Sequence, residues 1–129
     1  MIRAALLALA GLAVSPVLAQ DTSVPVQAGP SVLSGSGAVL RGLDKVSGHK
    51  MDVELSRGGR AVIFGLDVRL GDCRYPRRNP TGDGYALLEV RRVGHPEIEF
   101  EGWMVASAPA LNALDDPRYD VWLVRCKIS

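Results

Sequence analysis

The stretch KMDVELSRGGRAVIFGLDVRL, residues 50–70, decides the fold class. Apolar residues alternate with charged ones over Lys50–Ser56, and the same period of two returns over Leu66–Leu70. Such alternation is typical of β-strands that have one face in the core and the other in water. Between them, RGGR at 57–60 supplies the glycines that a tight turn favours. The stretch therefore predicts consecutive short antiparallel strands.

The same succession of short strands and turns continues to the end of the chain. Turn signals recur every eight to twelve residues, and residues 107–116 are the one stretch that predicts a helical turn. We therefore expect an all-β domain, a small β-sandwich or partly open barrel of six to seven antiparallel strands with at most one short helical turn. The expected strands are Val39–Lys45, Lys50–Ser56, Ala61–Phe64, Leu66–Leu70, Tyr85–Arg92, residues 97–104 and Tyr119–Ile128. The last strand is apolar on both faces, which predicts a central position in its sheet.

The first 19 residues have the three parts of a secretory signal peptide. Arg3 supplies the positive start, Ala4–Ala13 is a short apolar run, and Val17 and Ala19 suit the subsites of signal peptidase. The apolar run is shorter than the about 20 residues that a membrane-spanning helix needs. We therefore expect cleavage after Ala19, export to the periplasm and no transmembrane segment in the mature chain.

This cut divides the chain into three regions. Residues 1–19 are the signal peptide, 20–37 a flexible tether rich in Gly, Pro and Ser, and 38–129 a single β domain. Without Arg3 the mature chain has 14 basic and 14 acidic residues. This balance argues against nucleic acid or a strongly charged membrane surface as the main partner.

Cys73 and Cys126 are the two cysteines of the chain. In an oxidising compartment an even number of cysteines favours a disulfide. The bridge would close a loop of 54 residues, which is worth roughly 4 kcal/mol in the chain-entropy model. Cys73 has the opposite parity from the apolar residues Leu66, Val68 and Leu70, so we expect a β-bulge at Gly71 that turns it inward. Two separate buried thiols are the alternative.

The sequence contains no pattern that predicts a catalytic, metal or cofactor site. His49 and His95 lie in Gly-containing turns 46 residues apart, without a third ligand at a zinc-like spacing. Ser107 does not stand in a G-x-S-x-G elbow, and we expect it to cap the helical turn. Carboxylates for a hydrolase are present in several loops and strands, at Asp83, Glu89, Asp115, Asp116 and Asp120.

The long loop over residues 75–84 is the best candidate for a contact surface. Three arginines surround its start, next to prolines and a tyrosine. Exposed aromatic rings beside arginines are common in protein-binding hot spots and sugar platforms, and long loops on compact domains often carry function. The candidate contact residues are Arg74, Tyr75, Arg77, Arg78, Trp103 and Tyr119. For Trp103 and Trp122 a position in the core is the alternative.

Several separated motifs carry a family resemblance. They are GAVLRGLDKVSG at 37–48, CRYP at 73–76, GWM at 102–104, SAPAL at 107–111 and PRYDVW at 117–122, followed by Cys126. Together they resemble the DUF2155 family of small exported alphaproteobacterial proteins. The resemblance implies a periplasmic setting and paired cysteines, and it implies no activity because the function of the family is unknown. Genes of this family often lie beside that of an accessory subunit of respiratory NADH:ubiquinone oxidoreductase, which makes that complex a candidate partner.

These observations favour a non-enzymatic periplasmic interaction module. We expect an accessory or assembly factor on the periplasmic face of a membrane complex such as respiratory NADH:ubiquinone oxidoreductase, with the tether 20–37 and the loop 74–78 as contacts. One alternative is a cell-wall or glycan-binding domain that stacks sugars on Tyr75, Trp103 or Tyr119. The other is a small periplasmic hydrolase, which requires two of the carboxylates, or the two histidines, to converge in one cleft.

Overall fold

The computed structural model describes residues 10–16 and 31–128, and the folded domain lies within 31–128. Residues 10–16 are exposed and form neither helix nor strand. The predicted cleavage site after Ala19, most of the predicted signal peptide and most of the predicted tether lie outside the described residues. Within the described part of the chain, no helix is long and apolar enough to cross a membrane.

The domain consists of two antiparallel sheets that do not close into a barrel. Its strands are β1 (Val32–Ser34), β2 (Gly37–Asp44), β3 (Lys50–Ser56), β4 (Arg60–Ile63), β5 (Leu66–Pro76), β6 (Tyr85–Arg92), β7 (Ile98–Val105) and β8 (Tyr119–Lys127), with a 3-10 turn at Pro109–Asn112. One sheet has the order β1-β5-β6-β7, with β4 also paired to β5, and the other has the order β3-β2-β8. The all-β prediction is confirmed, in its sandwich form, with eight strands described instead of six or seven.

The strand β5 organises the larger sheet because β1 and β4 share its outer edge. β4 pairs with the first residues of β5, over 66–69, and β1 pairs with the last, over 74–76. Backbone hydrogen bonds from Gly58 to Leu70 and from Gly35 to Cys73 fill the gap between them. This edge of β5 therefore has backbone partners on both sides of residues 71 and 72.

The core lies between the two sheets and takes side chains from both. The sheets approach each other closely at Gly42 of β2, because a Cβ atom there would lie 2.2 Å from the Ile63 side chain of β4. Only glycine allows the sheets to approach so closely. The largest fully buried side chains are Leu40, Ile63, Leu66, Leu70, Leu88, Met104 and Leu123.

A β-bulge in β5 connects the sequence pattern with the disulfide. The register with β6 shifts between Leu70 and Asp72, so Gly71 is the extra residue. Cys73 is thereby turned inward and fully buried, and the bulge that its parity predicts is present. In the structure Cys73 and Cys126 form a disulfide, with Cα atoms 5.6 Å apart, which joins β5 of one sheet to β8 of the other.

Two features of the strands differ from the predictions. Residues 31–37 of the predicted tether belong to the fold, because β1 gains a partner in β5 that local composition does not reveal. β8 pairs with β2 alone among the described strands, so β2 is the central strand of the smaller sheet. The register between β8 and β2 shifts opposite Val39 and Leu40. Because of this shift, Leu123 and Cys126 have opposite parity in the sequence but are both buried on the same side. This explains why β8 is apolar on both parities.

Two local predictions also need correction. Ser107 does not cap the 3-10 turn, whose N-terminal residue Ala108 has no side-chain hydrogen bond. Phe64 is not a strand residue but occupies the turn between β4 and β5, with φ at 53°. A non-glycine residue in this left-handed region is strained, and its ring stacks on Tyr119 with centroids 6.4 Å apart.

Candidate binding face

Near the disulfide, β5 contributes two charged side chains to the outer face of the larger sheet. Beyond the bulge, Cys73 and Tyr75 point inward, and side chains alternate along a strand. Asp72 and Arg74 therefore lie on the outward side. The Nε atom of Arg74 donates a hydrogen bond to Oδ2 of Asp72 at 3.0 Å.

Three donors hold the carboxylate of Asp72. Oδ2 accepts hydrogen bonds from Arg74 and from the Ser34 hydroxyl of β1, the latter at 3.2 Å, and Oδ1 accepts from the N–H of Cys73 at 2.8 Å. Burial alone would raise the pKa of Asp72, but these donors outweigh it and lower the pKa below its ordinary value. The carboxylate is therefore a fixed anion that orients the Arg74 side chain.

Trp103 on β7 provides the ring on which Arg74 lies. Arg74 reaches across β6, and its guanidinium carbon is 5.2 Å from the centroid of the indole ring, within the range of a cation–π interaction. The Asn112 side chain donates a hydrogen bond to the carbonyl of Trp103 at 2.8 Å, so the 3-10 turn braces β7 here. Trp103 nevertheless stays 37% exposed.

A shallow and mostly apolar cleft of about 300 Å³ lies beside this pair. It is lined by Val32, Arg74, Tyr85 and Trp103, which come from four different strands. Leu87 lies opposite Trp103 in the ladder of β6 and β7. We call this surface the indole face, and its residues are Val32, Asp72, Arg74, Tyr85, Leu87 and Trp103.

The loop between β5 and β6 borders the indole face. It begins with Arg77 and Arg78, both exposed, and the N–H of Arg77 donates to the carbonyl of Ser31 at 3.0 Å. At its other end Asp83 accepts hydrogen bonds from the hydroxyl and the N–H of Ser107, at 2.6 and 3.0 Å. Both ends of the loop are thus tied to neighbouring segments.

A second cleft, of about 320 Å³, lies between this loop and the end of β8. Charged side chains of both signs line it, and two of them form an ion pair, in which Lys127 donates a hydrogen bond to Glu54 at 3.0 Å. Tyr75 contributes to its wall from the core. The mixed charges do not select a ligand of either sign, so this cleft is the weaker candidate.

Tyr119 lies at the other end of the sandwich in a separate group. Its ring stacks on Phe64, and the guanidinium carbons of Arg92 and Arg118 are 5.5 and 5.2 Å from its centroid. Asp116 lies 2% exposed beside it. We call Phe64, Arg92, Asp116, Arg118 and Tyr119 the charged cluster.

Every charge of this cluster is matched. Arg92 makes two hydrogen bonds to Asp116, at 2.9 and 3.0 Å, and one to Glu99 at 3.2 Å. Oδ1 of Asp116 also accepts from the N–H groups of Arg118 and Tyr119, each at 2.8 Å. Burial alone would raise the pKa of Asp116, but these N–H groups and Arg92 lower it to about 2. The cluster fixes the start of β8 and is structural.

Comparison with known proteins places the chain in a family. A family model described as an uncharacterized protein conserved in bacteria, DUF2155, matches residues 38–126. The chain belongs to the DUF2155 family. It is also 23% identical, over 87 residues, to the uncharacterized protein RP359 of Rickettsia prowazekii (strain Madrid E), an overlap that is 65% of this chain and 56% of that protein. The chain thus spans little more than half the length of that relative. No solved structure matches the chain.

In this DUF2155 chain the structure separates the six predicted contact residues. It brings Arg74 and Trp103 together and leaves Arg77 and Arg78 at the border of the same face. Tyr75 is 8% exposed and packs in the core, because the bulge at Gly71 turns it inward together with Cys73. Tyr119 belongs to the charged cluster, far along β8 from the disulfide, so it takes no part in the indole face.

None of the clefts of about 230, 300 and 320 Å³ is lined by more than one of the five carboxylates proposed for hydrolysis. Asp83 binds Ser107, Glu89 forms an ion pair with Arg91, and Asp116 binds Arg92, each on a different element. Glu89 does lie opposite Glu101 beside a cleft of about 230 Å³, but Arg69 and Arg91 flank the pair. The two histidines lie in exposed turns, and residues 10–16 and 31–128 contain no group of three or more potential metal ligands.

Sequence reasoning missed four residues of the indole face. Val32 lies in the predicted tether, Tyr85 and Leu87 are predicted only as residues of a strand, and Asp72 is in none of the predicted sites. A signal for Tyr85 and Asp72 was available, because both have outward parity on strands whose other face is apolar. No local signal marked Val32, since its place depends on the pairing of β1 with β5.

Proposed function

We propose that this protein is a non-enzymatic interaction module of the periplasm, an accessory or assembly factor that binds a protein of a membrane complex through the indole face. The observation that carries the proposal is Trp103, an exposed indole at the edge of an apolar cleft with an arginine stacked on it. Tryptophan and arginine are the residue types most enriched in binding hot spots.

The surroundings of Trp103 support a binding role. The hydrogen bond from Asn112 holds the backbone of Trp103, and Arg74 lies against its ring, so little side-chain entropy is lost when a partner covers the ring. The loop that carries Arg77 and Arg78 borders the same face. Respiratory NADH:ubiquinone oxidoreductase is the named candidate for the complex, on the basis of the gene neighbourhood of the family.

Co-purification from the native host tests this function. A tag after Ser129, mild solubilisation of membranes and identification of the proteins recovered should yield one membrane complex in stoichiometric amounts. Trp103→Ala should reduce this recovery at least about tenfold, which is the size of a typical hot-spot loss. Recovery of a lone soluble monomer would refute the proposal.

Met51→Ala is the matched control for that experiment. Met51 is a large apolar side chain, 38% exposed, on β3 of the smaller sheet. Its truncation removes exposed apolar surface without touching the indole face, so recovery of the complex should be unchanged. An equal loss in both variants would show that exposed apolar area in general, and not Trp103, holds the partner.

Cell-wall binding is the second candidate, and exposed Trp103 is the one observation that favours it. Sugar platforms use open aromatic faces, whereas Arg74 lies over this ring and Tyr75 is in the core. Sedimentation of the purified protein with peptidoglycan tests this candidate. Binding that Trp103→Ala abolishes would favour the cell wall over a protein partner.

A further inference from the structure

The guanidinium of Arg74 is only partly used within the fold. Its Nε atom donates to Asp72, while its two terminal nitrogens have no hydrogen-bond partner among the described residues. The side chain is 50% exposed. By contrast, Arg92 of the charged cluster donates through both Nε and a terminal nitrogen.

The free edge of this guanidinium is held in a defined orientation. The ring of Trp103 lies against one of its sides, and Asp72, itself fixed by Ser34 and by the N–H of Cys73, holds Nε. A planar guanidinium presented in this way matches a carboxylate, which it binds through two parallel hydrogen bonds. Because the orientation exists before binding, little ordering is needed when such a group arrives.

An apolar cleft and two further arginines lie next to Arg74 and add to what this surface can bind. The apolar cleft formed with Val32, Tyr85 and Trp103 has a volume of about 300 Å³, enough for an apolar side chain. Residues 72–78 contain three arginines and one aspartate, so this part of the chain is positive. An acidic partner would therefore be attracted to it.

We propose that Arg74 is a carboxylate-binding residue and that the indole face receives an acidic protein segment, with a carboxylate on Arg74 and a neighbouring apolar side chain in the cleft. This inference rests on the proposed function and names the chemistry of the partner. A protein segment fits better than an anionic membrane, because lipid recognition commonly uses four to eight clustered basic residues. Here there are three, and Asp72 offsets one of them.

Two short peptides serve as probes for this proposal. The first is acetyl-Glu-Leu-Asp-Leu-Glu-amide, and the second is its uncharged counterpart acetyl-Gln-Leu-Asn-Leu-Gln-amide. The chain has two tryptophans, so indole N–H resonances of the isotope-labelled protein, purified from its host, report on Trp103 and provide Trp122 as an internal control. The acidic peptide should shift the Trp103 resonance at millimolar concentrations, and the uncharged peptide should bind about tenfold more weakly or not at all.

Variants of Arg74 test the geometry of the contact. Arg74→Gln removes the charge, and Arg74→Lys keeps the charge but loses the planar fork, so both should weaken binding of the acidic peptide about tenfold. Lys50→Gln, a charge change on β3 of the other sheet, should leave it unchanged. The unshifted Trp122 resonance shows in each variant that the fold is intact.

The remaining outcomes separate this inference from the proposed function. Equal binding of both peptides, or full binding by Arg74→Gln, overturns the role of Arg74 while co-purification through Trp103 can still stand. Sedimentation with phosphatidylglycerol vesicles that Arg74→Gln abolishes, together with no response to the acidic peptide, would overturn the proposal in favour of a membrane surface. Failure of co-purification with an intact peptide response would refute the membrane complex and keep the carboxylate site.

Discussion

Both ends of the sandwich place an arginine on an aromatic ring, but for different purposes. At one end Arg74 lies 5.2 Å from the ring centroid of Trp103, and at the other Arg118 lies 5.2 Å from that of Tyr119. Each guanidinium also binds an aspartate. An arginine at this distance from an aromatic ring therefore does not by itself distinguish the indole face from the charged cluster.

The two sites differ in how many contacts their rings and charged groups already make within the fold. In the charged cluster Arg92 and Arg118 both contact the ring of Tyr119, which also stacks on Phe64, and Asp116 is buried with four hydrogen bonds. On the indole face Trp103 stays 37% exposed beside Arg74, and Arg74 makes one hydrogen bond. Saturated polar groups stabilise a fold, whereas exposed rings and unsatisfied donors are available to a partner.

The largest expected effect is loss of the disulfide, which anchors the end of the molecule that carries the indole face. Replacing Cys73 and Cys126 by serine should lower the free energy of unfolding by roughly 4 kcal/mol, because the unfolded chain loses a long closed loop. Urea denaturation of the wild type and the double variant measures this. Thiol titration of unfolded, unreduced protein is the control and should detect no free thiol; two free thiols would contradict the bridge.

The next largest effect is the loss of unfolding free energy when either of the two aspartates that bind the arginines is removed. Asp116→Ala should cost about 3 kcal/mol, because it leaves Arg92 and two backbone N–H groups without their acceptor in a buried site. Asp72→Ala should cost about 1 kcal/mol or less, since two of its three partners, Ser34 and Arg74, are exposed. Denaturation of both variants measures the difference. Equal losses would contradict the assignment of the charged cluster as the structural one.

A third effect is the dependence of stability on pH. The pKa of Asp116 is lowered to about 2 in the fold, below the ordinary value of about 3.9 in an unfolded chain. A depressed pKa stabilises the fold above the unfolded value, so this contribution, about 2 kcal/mol, is lost as the pH falls from about 5 towards 2. Asp116→Asn lacks the titrating group, and its stability should fall less over this range.

Denaturation curves at several pH values measure that difference. The pKa values of Asp44 and Asp72 are also lowered, by Arg118 and by the donors around Asp72. Their contributions are present in both proteins and cancel in the comparison. Parallel pH profiles for the wild type and Asp116→Asn would contradict the lowered pKa of Asp116.

Strands with a clear period of two were predictable from sequence, and strands defined by their partner were not. Lys50–Ser56 and Tyr85–Arg92 have the predicted bounds, because alternation and turn residues are local signals. β1 was missed because three residues in a Gly- and Ser-rich stretch become a strand only through pairing with β5. The indole face likewise depends on register, since Arg74 and Trp103 meet across two ladders.

The bulge at Gly71 shows how one local inference reaches the site. The parity of Cys73 predicted the bulge, and the same shift makes Tyr75 an inward residue two positions later. Tyr75 was nevertheless assigned to the exposed loop, because the prolines and arginines that follow look like loop residues. Carrying the alternation past the bulge would have placed Tyr75 in the core and Arg74 outside.

The smallest effect on stability is expected at Arg74. It is the sharpest test of the difference between the indole face and the charged cluster. Arg74→Gln should lower the free energy of unfolding by about 0.5 kcal/mol or less, as for other exposed ion pairs. Arg92→Gln should destabilise the protein more, because it leaves the buried carboxylate of Asp116 without its bidentate partner. Denaturation under identical conditions measures both variants.

For binding, the order of the two variants should be reversed, with the larger loss in Arg74→Gln. Arg74→Gln removes the donors that face solvent and should reduce recovery of the partner, whereas Arg92→Gln alters the far end of the sandwich and should leave binding by the folded protein intact. Co-purification at a temperature where both variants are folded tests this. If Arg92→Gln weakened binding as much as Arg74→Gln, the two ends would be coupled or the partner would span both. A contact residue should matter for binding and little for stability, and the single hydrogen bond and the exposure of Arg74 predict that behaviour.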